Sequence, residues 1–96
     1  MIGTALASTN MIQSPEEFRR LRESENPEEY RRAAHDEAPV EVWLEVIRRW
    51  PDMRFWVAQN KTVPVSVLEV LANDPDEKVR DMVLRKGSWR RSRGAG

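Results

Sequence analysis

The sequence predicts an all-α protein, a short right-handed α-solenoid of about three two-helix repeats of roughly 24 residues each. Three observations carry this expectation. Six prolines, Pro15, Pro27, Pro39, Pro51, Pro64 and Pro75, divide the chain at spacings of 11 to 13 residues. Three of them follow a capping residue that has a glutamate three positions on, at Ser14-Pro15-Glu16-Glu17, Asn26-Pro27-Glu28-Glu29 and Asp74-Pro75-Asp76-Glu77. Short segments also recur at shifts of 24 to 26. Leu44-Glu45-Val46 returns as Leu68-Glu69-Val70, and Ala33-Ala34 returns as Val57-Ala58 and then Val83-Leu84.

Each proline is read as a helix start. In a helix interior proline removes a hydrogen bond and clashes with the preceding turn, whereas at the first position its missing N–H costs nothing. At the capped starts the side chain accepts from a free amide of the first turn, the glutamate reaches back, and the early carboxylates suit the positive end of the helix dipole.

The first helix, from Pro15, offers Phe18 and Leu21 inward. Its other positions are Glu16, Glu17, Arg19, Arg20, Arg22 and Glu23, the polar outer face of a terminal repeat. The second runs from Pro27. The third, after Pro39, has no capping side chain. Its Trp43, Ile47 and Trp50 form one stripe that Leu44 could widen, so Trp43 and Trp50 are expected in the core. The fourth, after Pro51, points Met53, Val57 and Ala58 inward. Phe55 and Trp56 cannot both fit between close neighbours, and Trp56 is expected in a surface groove. The fifth follows Pro64. The sixth, from Pro75, leaves Val79, Met82, Val83 and Leu84 with no later proline-led helix to cover them. Either Trp89 folds back as a lid or a second copy docks there and makes a homodimer. The expected organisation is a disordered leader over 1–13, a helical repeat domain over 14–87 and a basic flexible tail over 88–96.

Two segments, Leu71-Ala72-Asn73-Asp74-Pro75-Asp76-Glu77-Lys78-Val79-Arg80 and Val57-Ala58-Gln59-Asn60-Lys61-Thr62-Val63-Pro64, resemble the leucine-rich repeat variant family, relatives of HEAT-like α-solenoids. The resemblance covers residues 27 to 87. It implies alternating short helices, some α and some 3₁₀, in a twisted superhelix. The iron–sulfur module of one branch of that family needs cysteines, which this chain lacks. The first repeat departs from the pattern, with Tyr30 where an arginine is expected. A shape-defined family implies a fold more than a function.

Composition narrows the function. The 96 residues suffice for one small domain, and 16 basic and 16 acidic side chains give a net charge of zero, unlike a general nucleic-acid coat or membrane-surface binder. The absence of cysteine fits a reducing cytoplasm and leaves no thiolate metal site. No apolar run approaches the roughly 20 residues that span a bilayer. His35 is the one histidine, placed at a helix end where a positive imidazole suits the dipole. With no second histidine at ligand spacing, no Gly-rich loop and no nucleophile elbow, neither a metal, a cofactor nor enzymatic activity is expected.

Binding has more to stand on. Tryptophan is enriched at binding hot spots, and Trp56 is the one expected outside the core. Arg54 and Arg80 recur at equivalent positions. Each can pair with a nearby aspartate, or the two can form a ladder that grips carboxylates or phosphates. Asn60 and Lys61 occupy the repeat turn with the same two options. The leading expectation is a non-enzymatic module with a dedicated protein partner, an adaptor or an immunity-like inhibitor, using Trp56, Arg54, Arg80, Asn60 and Lys61. The alternatives are nucleic-acid binding through Arg85, Lys86, Arg90, Arg91 and Arg93, which no acid interrupts over residues 85–96, and structural self-assembly.

Overall fold

A computed structural model describes residues 11–94. All regular structure among them is helical: α1 (Pro15–Glu23), α2 (Pro27–His35), α3 (Val40–Arg49), a 3₁₀ turn (Pro51–Met53), α4 (Arg54–Gln59), α5 (Val65–Leu71), α6 (Glu77–Arg85) and α7 (Gly87–Ser92). All six proline-marked starts are present. The prolines sit at the first position in α1, α2 and the 3₁₀ turn, act as the N-cap of α3 and α5, and lie just upstream of α6.

The caps form with altered partners. Ser14 Oγ accepts from the Glu17 amide at 3.1 Å, while the Glu17 carboxylate reaches one residue further back, to the Gln13 amide at 2.7 Å. Asn26 caps the Glu28 amide at 2.9 Å, and Glu29 instead takes the Ser24 hydroxyl at 2.7 Å. At the third start the cap is Asp76, which accepts from the Lys78 amide, so α6 begins two residues later than its proline. Asp74 there accepts from the Asp76 amide at 3.0 Å, as Ser24 accepts from the Asn26 amide at 3.0 Å.

Two series of helices pack against each other. Helices α1, α3, α5 and α7 touch in succession, and so do α2, α4 and α6. The core runs between them through Phe18, Leu21, Trp43, Val46, Val57, Ala58, Leu68, Leu71, Val79 and Val83. Met53, Val57 and Ala58 are buried as their register predicts. Phe18 meets Trp43 edge-on, with ring centroids 5.2 Å apart.

Several expectations are corrected. The ordered unit begins before residue 14, because Ile12 is fully buried and its amide donates to the Glu37 carbonyl at 2.8 Å. Residues 1–10 of the expected leader lie outside the described residues. Residues 88–92 are helical, and Trp89, only 7% exposed, joins the core, so the tail is not simply flexible. Of the two options for the C-terminal end, the intramolecular lid is therefore the one adopted. Leu84, on the face where a second copy was the other option, stays outside, 57% exposed. Leu44 lies on the outer face and is exposed. Trp50 is only half-buried, with the guanidinium groups of Arg49 and Arg19 at 4.6 and 5.2 Å from its ring, because cations can cover an indole that the core does not enclose.

Candidate binding groove

The turns that follow α2, α4 and α6 position most of the singled-out polar residues. Asn60 stands at the C-terminal end of α4 and is wholly buried. Its amide nitrogen donates to the carbonyls of Ala33 at 2.8 Å and Asp36 at 3.0 Å, closing the open end of α2. Its carbonyl oxygen accepts from the Thr62 amide at 2.7 Å and the Thr62 hydroxyl at 2.6 Å. Asn60 is thus a satisfied structural node and does not face a partner.

Lys86 holds the equivalent place one repeat later and makes the equivalent bond, its ammonium donating to the Asn60 carbonyl at 2.8 Å. Partial burial, with Lys61 nearby, holds that ammonium below the usual lysine range. Lys61 anchors its own backbone amide on the Ala34 carbonyl at 2.8 Å and leaves its side chain exposed.

Arg54 and Arg80 do not form an open ladder, because both converge on Asp74. Arg54 pairs with the nearly buried Asp74 carboxylate at 3.0 Å and donates to the Ile47 carbonyl at 2.8 Å. Arg80 donates to the Asp74 carbonyl at 2.7 Å and that of Pro75 at 3.1 Å. Both arginines lock the turn before α6, Arg54 by an ion pair with Asp74 in place of the expected Asp52, Asp76 or Asp81, and Arg80 by backbone carbonyls alone. An unpaired buried carboxylate would be costly, which is why the arginine stays home.

Trp56 lines an open cleft of about 290 Å³ between α2 and α4, with Tyr30, Arg31, Ala33, Ala34, Gln59 and Arg22. The Arg22 guanidinium lies 3.6 Å from the centroid of its ring, and Phe55 meets it edge-on at 4.9 Å. A second cleft of about 520 Å³ shares Gln59 with the first and adds Lys61, Met82, Arg85, Lys86 and Arg91. A third shares Met82 and Arg85 with the second and adds Phe55, Lys78 and Asp81. Gln59 stands between the first two and Met82 and Arg85 between the last two, so the clefts adjoin one another as a segmented groove along α2, α4 and α6.

The groove's charges are one-sided. Arg22, Arg31 and Lys61 line it, as do Lys78, Arg85, Lys86 and Arg91, and none has a carboxylate within 4.0 Å among the described residues. Asp81 is the one acid on the walls of these three clefts, while a shallow neighbouring cleft of about 140 Å³ shares Arg31 with the first and adds Glu28, Asp36, Arg32 and His35. The basic residues of the C-terminal segment thus divide. Arg85, Lys86 and Arg91 belong to the groove, whereas Arg93 packs on Trp89 at 4.3 Å and reaches Glu69 at 3.8 Å. Arg90 is exposed outside it.

Sequence reasoning placed Trp56 in a groove but missed Tyr30, Arg22, Arg31, Phe55 and Met82 beside it, and held Arg85 only for the nucleic-acid alternative. The register held a signal for several of them. Trp56 and Met82 are repeat equivalents, as are Arg31, Phe55 and Asp81, and Gln59 and Arg85. No signal existed for Arg22, which reaches in from α1.

His35 is exposed, and no group of three or more His, Asp or Glu side chains converges as a metal site among the described residues. No described helix is long and apolar enough to cross a membrane. Comparison with protein-family models, curated proteins and solved structures returns no match.

Proposed function

We propose that the chain is a non-enzymatic helical-repeat module, a short right-handed solenoid of about three two-helix repeats, that binds a dedicated protein partner in the groove along α2, α4 and α6. The observation that carries this function is the row of cationic side chains without carboxylate partners, set around half-buried aromatics on one face of a chain whose net charge is zero. Supporting the repeat is the hydrogen bonding of successive turns, in which Asn60 donates to the Asp36 carbonyl at the end of α2 and Lys86 donates to the Asn60 carbonyl at the end of α4, at the same register. Stacked repeats of this kind present extended docking surfaces. An adaptor or an inhibitor of a cognate protein fits such a surface, and a cytoplasmic setting fits the lack of cysteine.

The test is affinity capture from native lysate, with and without nuclease treatment, with the natural chain and with an Arg31→Glu/Arg85→Glu variant. One protein retained by the natural chain and lost by the variant is the expected result. Capture that both chains share equally would remove the groove from the function. Recovery of nucleic acid alone, abolished by nuclease, would move the function to the alternative basic set that includes Arg90 and Arg93.

A further inference from the structure

We propose that the occupant of the groove is an acidic polypeptide segment carrying one large apolar side chain, with the apolar group seated beside Trp56 and its carboxylates on the basic residues of the adjoining cleft. This rests on the groove proposed above and names what fills it.

Charge complementarity gives the sign of the occupant. The cationic side chains of the outer layer, by contrast, are largely neutralised within the chain: Arg19 by Glu23 and Asp52, Arg20 by Glu29, Arg48 by Glu45 and Arg49 by Glu16. Those of the groove have no such partner, and Lys86 is held partly buried near Lys61, a repulsion that an anion would relieve. A carboxylate at the exposed Arg85 or Arg91 gains a charge-assisted hydrogen bond.

The layout along the groove selects a polypeptide over a nucleic-acid strand. The cations fall into two groups, Arg22 and Arg31 in the cleft of Trp56 and Lys61, Arg85, Lys86 and Arg91 in the second cleft. The first cleft also holds the uncharged Ala33, Ala34 and Gln59, and its Arg22 guanidinium is engaged on the Trp56 ring at 3.6 Å from the centroid. A phosphate backbone carries charge at every residue and would find few free cations in that first cleft. A peptide can place an apolar side chain there and its acids on the cations of the second cleft. Base stacking needs an open aromatic face, and one face of Trp56 is already covered by Arg22 while Phe55 stands perpendicular to it. What remains is a walled cleft of about 290 Å³, the form of an anchor pocket rather than a stacking platform.

The experiment is fluorescence polarisation on the full chain with four labelled probes. They are a peptide of aspartate, glutamate and serine with one central tryptophan, the same peptide with serine for the tryptophan, the same peptide with lysine for every acid, and an oligothymidylate of equal length. Expected are saturable binding of the first, at least tenfold weaker binding of the second, none of the third, and weaker binding of the fourth than of the first. A Lys61→Glu/Arg85→Glu chain, altered only at exposed side chains, should bind the first probe at least tenfold more weakly with an unchanged melting temperature. Tighter binding of the oligothymidylate, equal binding of the lysine peptide, no effect of the central tryptophan, or no saturable binding of the first probe would each overturn the proposal. None of these touches the lysate comparison of the groove variant, so the occupant and the groove fail separately.

Discussion

The two layers of the molecule use the same residue types for opposite ends. In the layer of α1, α3 and α5, large side chains point inward and arginines other than Arg22 are matched with acids: Phe18 and Trp43 share the core while Arg49 spans to Glu16 at 2.8 Å. In the layer of α2, α4 and α6 small residues such as Ala33 and Ala58 face inward, and the aromatic Trp56 faces the groove with Arg31, Lys78 and Arg85. Small inward residues let the neighbouring helices approach, so larger groups in that layer are pushed outward. The lesson is that an unmatched charge is informative only against a background where charges are matched.

If stability resides between the layers, the largest effect comes from Trp43. Trp43→Ala should cost about 4 kcal/mol in chemical denaturation. Its Nε1 is buried without a hydrogen-bond partner, so Trp43→Phe should cost far less, about 1 kcal/mol, because it removes that orphan along with some volume. Equal losses from both would show that the indole nitrogen carries no penalty.

Asn60→Ala should cost about 3 kcal/mol, since it strips the donors from two α2 carbonyls and the acceptor from Thr62. A loss below about 1 kcal/mol would mean that water replaces the amide and that the turn does not tie the repeats together. Next is Arg54→Ala, at about 2 kcal/mol, measured in a cycle with Asp74→Asn. The neutral amide should recover much of that loss by removing the stranded carboxylate.

Substitution on the groove wall should leave the fold almost untouched. Arg85→Ala is expected to change stability by less than about 0.5 kcal/mol while weakening partner binding. The smallest effect is a titration. Because burial and Lys61 lower the pKa of Lys86 in the folded chain, the folded state holds its proton less tightly than the unfolded one. Stability should therefore rise as pH climbs through the folded-state value toward the usual lysine range, and the penalty should be fully present below it. Lys61→Gln should raise the Lys86 pKa, as should an acidic occupant, and both are readable in the NMR titration of the Lys86 side chain. A fall on either change would contradict the placement of the two ammonium groups.

Local chemistry made much of the fold legible. Proline geometry, three capping residues and the helical spacing of Phe18 and Leu21, or of Val57 and Ala58, act over one or two turns and can be read from neighbours in the chain. The terminal boundaries were not legible, since Ile12 and Trp89 are ordered by partners distant in sequence. The groove was half legible: Trp56 stood out because two adjacent aromatics cannot both be inward. Asn60, Arg54 and Arg80 misled because a side chain that can bind a partner can equally bind a carbonyl or carboxylate of its own chain, 20 or more residues away for Asn60 and for the Arg54–Asp74 pair and five or six residues away for Arg80.

By itself the sequence determined that the chain is helical, where most helices begin and which of their faces are apolar, because these depend on backbone sterics and the 3.6-residue period. Only the tertiary structure decided which polar groups are spent inside the protein and which remain for another molecule. That division depends on what lies across the fold from each side chain, as Asp74 pairs with Arg54 while no carboxylate comes within 4.0 Å of Arg85 among the described residues.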